Sequence, residues 1–206
     1  LGDIGDNDSS RSSIALAWLE EKATYSSTEK LAGQISMTYP DGAHNAEGFF
    51  IDTNGDFVIF TKNLVKEPKK RGEKKKTHAG VSSIYRLAAA KIATGKGTHT
   101  LEKLGELDVP TLIGATNKEA IVTGASVSGD GRILLLTYKA ALELAWKPGD
   151  KLKTSAQMKR GTDYNVIELA LPHQEAIEFL PDDKGFLVTS EQGSTETPIV
   201  EVKCKF

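Results

Sequence analysis

The 206-residue chain has a single cysteine, Cys204, which excludes an internal disulfide framework and any multi-cysteine metal site. One thiol leaves both the cytoplasm and a disulfide-poor extracytoplasmic space open. No apolar run approaches the roughly 18 residues that span a bilayer, and no charged-then-apolar leader opens the chain, so no transmembrane segment is expected. An excess of one charge is also lacking. With 26 Lys+Arg against 28 Asp+Glu and a net charge of -2, total charge signals neither a membrane surface nor nucleic acid as partner. Helical periodicity is confined to Ala88 to Ala93 and Ser27 to Gly33, each one or two turns at most. Hydrophobic residues at 39% and charged residues at 26% nevertheless suit a chain of this length burying a sizeable core, and residues 1–206 read as a single domain or the C-terminal part of one.

Familiar catalytic signatures are missing too. There is no Gly-x-Ser-x-Gly elbow and no His-Glu-x-x-His. Asp52-Thr-Asn54-Gly-Asp56 begins like a calcium loop, but Phe57 stands at its sixth position and Asn63 at its twelfth, where glycine and glutamate are needed. Gly95-Lys96-Gly97-Thr98 lacks the spacing of a phosphate loop and precedes a strand. Cys204, in a terminal strand, reads as a buried structural thiol.

What the sequence does have is a repeat. Residues 48–61, 124–137 and, more loosely, 176–189 superimpose as strand, turn, strand, with turns at Asn54-Gly55, Asp130-Gly131 and Asp182-Asp183. Asn-Gly and Asp-Gly between apolar runs are hairpin signals because the turn demands positive φ. Further β-branched or aromatic runs follow at 81–87 and 98–107, at 140–146 and 164–171, and at 198–204, giving up to four strands per unit. The opening stretch fits as a unit without its first strand, using Leu1 to Asp6, Ser13 to Leu19 and Gln34 to Tyr39, and the last unit stops after its third strand. The pattern predicts an all-β chain: a β-propeller of four-stranded antiparallel blades at about 1–41, 44–107, 120–171 and 173–206, the first and last incomplete. A β-sandwich has similar strand spacing but no need of a hairpin-plus-two repeat. The missing strands, and a chain opening on Leu1 in what reads as a strand, point to a processed or truncated product. An upstream segment or a second chain would then complete the propeller.

If the first strand of each blade is innermost, residues just before it and just after the second strand share one face of the ring. That face collects Asp3, Asp6 and Asn7 from the first unit; His44, Asn45, Glu47, Lys62 and Asn63 from the second; Thr123, Tyr138 and Lys139 from the third; and His173, Glu175, Ser190 and Glu191 from the fourth. Glu47 and Glu175 fall at equivalent positions and should converge near the axis. Oxygen donors gathered at a funnel suit a hard cation such as calcium, with Asp3, Asp6, Asn7, Glu47 and Glu175 as its ligands. Asn45, Lys62, Thr123, Tyr138, Lys139 and Glu191 would contact a polar ligand, and His44 or His173 could act as a base. The same residues also read as loop caps and hydrogen-bonding groups at strand starts.

Gly2-Asp3-Ile4-Gly5-Asp6-Asn7 with Arg11, then Tyr39-Pro40-Asp41-Gly42-Ala43-His44-Asn45-Ala46-Glu47, then residues 122–132 with Thr137-Tyr138, resembles a family of bacterial extracytoplasmic β-propeller proteins across most of the chain. More distantly the chain is similar to calcium-dependent lactonase-like and phytase-like propellers, in which acids around the funnel hold the metal. The resemblance implies a six-bladed ring, export to a secreted or periplasmic location, and calcium. It implies no substrate, because fold does not fix function.

A second feature is the basic insertion at 63–80. Between Lys62 and Lys76 the cations Lys66, Lys69, Lys70, Arg71, Lys74, Lys75 and Lys76 outnumber Glu67 and Glu73. It reads either as a surface for an acidic partner or as a long solvated loop, and without interleaved aromatics it offers no stacking platform for single-stranded nucleic acid. Two functions follow: a binding or interaction module with a polar funnel, or a calcium-dependent ester, lactone or phosphoester hydrolase.

Overall fold

A computed structural model describes residues 1–66, 77–115, 118–169, 171–191 and 199–203. The described residues are all-β, 45% strand and 8% helix, and among them no sheet closes on itself. In chain order the strands are β1 (Gly2–Asp3), β2 (Ile14–Trp18), β3 (Gly33–Thr38), β4 (Ala46–Ile51), β5 (Phe57–Thr61), β6 (Leu64–Lys66), β7 (Thr77–Ala79) and β8 (Ser82–Leu87). After the short helix α1 (Ala89–Ile92) come β9 (Thr98–Thr100), β10 (Glu102–Leu107), helix α2 (Val109–Ile113), β11 (Val122–Val127), β12 (Ile133–Thr137), β13 (Ala140–Leu144) and β14 (Tyr164–Glu168). The last three are β15 (Gln174–Phe179), β16 (Gly185–Ser190) and β17 (Val200–Lys203).

These form four successive sheets, ordered β1-β2-β3-β9, β10-β8-β5-β4, β11-β12-β13-β14 and β15-β16-β17, plus the ribbon β6-β7. The predicted hairpins are β4–β5, β11–β12 and β15–β16. Gly55 and Gly131 take φ of 84° and 88°, as their turns require. Asp183 sits at the equivalent point with φ of 56°, and it reaches back to accept from Gly129 N–H in the preceding sheet at 3.0 Å.

The sheets stack face to face, as the alternation within their middle strands dictates. Every residue of β5 is buried, but Phe57 and Ile59 face a core shared with Ile14, Leu16, Ile35 and Met37 of the first sheet. Val58 and Phe60 face the opposite way, against Ile133, Leu135, Leu142 and Leu144 of the third. Fully buried β12 divides likewise, its Leu134 and Leu136 meeting Ile177, Phe179, Phe186 and Val188 of the fourth sheet. A period of two with both faces buried thus gives three cores between four layers.

Four expectations need correction. Residues 98–107 are not one strand: β9 pairs in parallel with β3, while β10 pairs with β8. Leu101 is the pivot, its N–H on Thr38 O at 2.9 Å and its side chain 3% exposed. Ser27 to Gly33 is not helical. Gly33 opens β3 opposite Trp18, where a Cβ would lie 2.1 Å from the indole. The strand expected over Leu1 to Asp6 shrinks to Gly2–Asp3, because the Ser9 N–H to Asp6 O turn diverts the chain. The insertion at 63–80 is not loop at its base, where Leu64↔Ala79 and Lys66↔Thr77 pair. Helix α2 was not expected; Asp108 caps Thr111 N–H at 3.1 Å and Gly114 ends it in the left-handed conformation.

Candidate functional site

The first strands of the second, third and fourth sheets share one irregularity. Register slips between Ala46 and Gly48, between Val122 and Gly124, and between Gln174 and Ala176, leaving Glu47, Thr123 and Glu175 as bulged residues. A bulge re-aims a side chain out of the strand's alternation, so three equivalent residues turn toward the same end of the stack. Small residues follow each one, and they let β4, β11 and β15 pack side by side. A Cβ on Gly48 would meet Val122 Cγ1 at 2.9 Å and Gly124 C at 3.1 Å, and one on Gly124 would meet Glu175 O at 3.3 Å.

The residue just past each hairpin's second strand completes the layer. Lys62 N–H donates to Asn45 O and Glu191 N–H to His173 O, both at 2.8 Å, which holds these positions beside the bulges. Lys62 Nζ donates to Glu47 Oε2 at 2.6 Å and to the Tyr138 hydroxyl at 3.3 Å. That hydroxyl donates to Glu175 Oε1 at 3.0 Å. One continuous chain, Glu47–Lys62–Tyr138–Glu175, therefore crosses three sheets. The ammonium lies 5.3 Å from the Tyr138 ring centroid, and His173 meets the same ring edge-on at 5.6 Å. Thr123 occupies the middle bulge, 2% exposed, and its Oγ1 has no partner among the described residues.

Burial opposes the charge of both Glu175 and Lys62, with different outcomes. It pushes the Glu175 carboxyl upward, against the Tyr138 hydrogen bond and the Lys62 charge. Burial works against the Lys62 ammonium as well, but the contact with Glu47 outweighs it and Lys62 stays firmly cationic. Beside the layer, β4, β11 and β15 line a groove of about 420 Å³ with Phe49, Ile51, Val127 and Ile177 as apolar wall and Glu47, Glu175 and Glu178 as acids. Glu178 is exposed as a residue, yet the groove desolvates its carboxyl enough to raise it, with Ser126 opposing.

The remaining expected site residues lie elsewhere. Asp3 is held by Arg11 at 2.7 Å and 2.8 Å, and the Arg11 hydrogen bond keeps its carboxyl below the usual range. Asp6 accepts from Arg11 N–H at 2.8 Å, while its own N–H donates to Asn45 Oδ1 at 2.7 Å. Asn45 also donates to Asn7 Oδ1 at 3.0 Å. Lys139 is fixed through its backbone, donating to Glu119 O at 3.1 Å. Lys66 ends β6, whereas Lys69, Lys70, Arg71, Lys74, Lys75 and Lys76 lie outside the described residues, as does Cys204.

His44 belongs to a cluster that sequence reasoning missed. Its Nε2 lies 3.0 Å from Asp41 Oδ1 and 2.9 Å from the Tyr85 hydroxyl, so both contacts use the same nitrogen. Tyr85 donates to Asp41 at 2.8 Å and Lys103 Nζ does so at 3.0 Å. Burial opposes the Asp41 charge, but Tyr85, His44 and Lys103 together outweigh it and hold the carboxyl at about 2. Tyr39 stands edge-on to both rings, and its hydroxyl has no partner among the described residues. Asp41 was hidden by its place in Pro40-Asp41-Gly42, which reads as a turn.

The donors expected for calcium are engaged by protein groups in this arrangement. Lys62 already supplies the positive charge beside Glu47, Tyr138 occupies Glu175, and Asp3, Asp6 and Asn7 are engaged by Arg11 and Asn45. Among the described residues no three His, Cys, Asp or Glu side chains group as a metal site. Among the same residues no helix is long and apolar enough to cross a membrane. No protein-family model matches the chain, and no curated protein resembles it significantly.

Proposed function

We propose that the chain is a binding module of β-propeller type, its four sheets acting as successive blades and the Glu47–Lys62–Tyr138–Glu175 layer as its ligand site. The observation that carries this reading is positional: three sheets in a row place a bulged residue and a hairpin-end residue at the same end of the stack, and their side chains touch across sheets. Repetition in a radial array brings equivalent residues to one axis, where a ligand meets several sheets at once. Completion of the ring by further chain, and export, belong to the same reading and rest on the family resemblance. Hydrolysis has no observation of its own; His44 lies in the Asp41–Tyr85 cluster and His173 packs on Tyr138.

The test is a thermal-shift screen of small polar solutes, namely calcium, amines, carboxylates and sugars, on the wild type and on the Glu47→Gln/Glu175→Gln double variant. At least one solute should raise Tm of the wild type and leave the variant unmoved. Solutes that raise both equally, or none that raises either, would sink the proposal.

A further inference from the structure

We infer that a carboxylate from outside the chain docks between the turns of the β4–β5 and β11–β12 hairpins, at the end of these strands away from the layer. The chain carries its own occupant of such a site one repeat further on. Between the second and third turns, Asp183 lays its carboxylate on Gly129 N–H, with Oδ2 at 3.0 Å and Oδ1 at 3.2 Å. The repeat makes Thr53 the counterpart of Gly129, and Gly131 the counterpart of Asp183. Gly131 has no side chain to offer, and Thr53 N–H has no partner among the described residues.

The equivalence holds in space as well as in sequence. Gly55 N–H closes its turn on Asp52 O at 2.9 Å, Gly131 N–H on Ser128 O at 3.0 Å and Asp183 N–H on Leu180 O at 2.9 Å. The strands that lead into these turns, β4, β11 and β15, lie side by side in that order. Asp183 bridges the gap between one pair of turns. Between the other pair lies a cavity of about 210 Å³, lined by Thr53 on one side and by Gly129 and Gly131 on the other.

Donors and acceptors around this cavity are unevenly supplied. Its acids are engaged: Asp52 Oδ1 accepts from Asn54 N–H at 2.8 Å and from Asp56 N–H at 2.9 Å, and Asp130 accepts from the Ser128 hydroxyl and from Arg132 Nε at 3.0 Å. Lys147 lines the same cavity and pairs with no acid among the described residues. Its Cε passes 3.6 Å from where a Gly131 Cβ would stand, whereas the matching place beside Gly55 holds the methyl of Ala89 at 3.2 Å. A backbone donor and an ammonium, both without partners, call for an acceptor that carries negative charge.

One difference displaces the ligand slightly. Thr53 has a Cβ where Gly129 has none, and at Gly129 that atom would lie 3.1 Å from Asp183 Oδ2. A carboxylate not tethered to the neighbouring turn moves outward to relieve this contact and gains the Thr53 hydroxyl as a further donor.

The experiment is an amide NMR titration of the intact protein with sodium acetate at neutral pH, with sodium chloride holding the ionic strength constant. The Thr53 amide should move saturably, while the Gly129 amide, already on Asp183, stays still. Asp183→Gly should clear the second gap and make Gly129 respond to acetate as Thr53 does, and Gly131→Asp should fill the first gap and silence Thr53. Lys147→Met should weaken acetate binding about threefold. A Thr53 amide that drifts linearly, like the exposed Gly42 amide, would overturn the inference, as would a Gly129 amide indifferent to acetate in Asp183→Gly. Methylammonium chloride moving Thr53 in the same way would overturn it too, by showing a site open to either charge. A capped Ala-Asp-Ala peptide then identifies the source: binding tighter than acetate assigns an acidic side chain of a partner, weaker binding a free acid, and both are carboxylates.

Discussion

Two regions of this molecule set a tyrosine hydroxyl against a carboxylate, and they treat the acid in opposite ways. Asp41 takes hydrogen bonds from Tyr85, Lys103 and the His44 ring and is held ionised down to about 2. Glu175 takes one, from Tyr138, shares the neighbourhood of a single ammonium with Glu47, and is pushed the other way by burial. The elements are alike: an acid, a tyrosine, a lysine and a histidine ring. What differs is the count of donors per carboxylate. A saturated acid fixes the loop that carries it, while an undersupplied one keeps capacity for something from outside.

Removing the acids separates the two most sharply. Asp41→Ala should cost about 2 kcal/mol in urea unfolding, because Tyr85, Lys103 and His44 lose the acceptor they share, while Glu106 still holds Lys103 and His44 still meets the Tyr85 hydroxyl. Glu175→Gln should cost under about 0.5 kcal/mol, since it removes a charge that burial disfavours; a loss matching that of Asp41→Ala would erase the distinction. Lys62→Met comes next, at about 1–2 kcal/mol, because Glu47 is left without its ammonium, and Glu47→Gln in the same chain should recover most of it. Tyr85→Phe should cost about 1 kcal/mol. Tyr138→Phe should cost less and raise the Glu175 carboxyl further, read by NMR titration.

The pH dependence runs in opposite directions at the two acids. Asp41 has a folded-state pKa depressed to about 2, so its contribution is complete above the ordinary aspartate range and is lost as pH falls toward 2. Asp41→Asn should flatten that limb of the stability curve. Glu175 has a raised pKa, so the folded state holds its proton more tightly and stability falls as pH rises from the ordinary glutamate range through the raised value. Glu175→Gln should remove that slope and leave the acid limb intact.

The hairpins and the site were legible for one reason, positional repetition. Asn54-Gly55 and Asp130-Gly131 announce turns, and aligning the hairpins on them makes Glu47 and Glu175 equivalent in sequence alone. The bulges themselves carry no such signal, because a register slip depends on the partner strand; only the small residues Gly48, Gly124 and Ala176 after them hint at it. The Asp41 cluster was illegible because its members come from a turn and from strands β8 and β10, where Tyr85 reads as core and Lys103 as surface. Parallel pairing of β9 with β3 was hidden likewise: nothing in Thr98-His-Thr100 distinguishes a strand that continues one sheet from one that visits its neighbour.

That visit bears on how the gene could be cut. A boundary after residue 41 would look natural from the repeat, yet the first sheet draws its last strand from residues 98–100 and shares Leu101 with the second. The shortest fragment keeping the first sheet whole therefore runs to Thr100, and it already contains most of the second. A fragment that ends at residue 41 would leave β3 without its parallel partner β9, so the first sheet is complete only where most of the second is present.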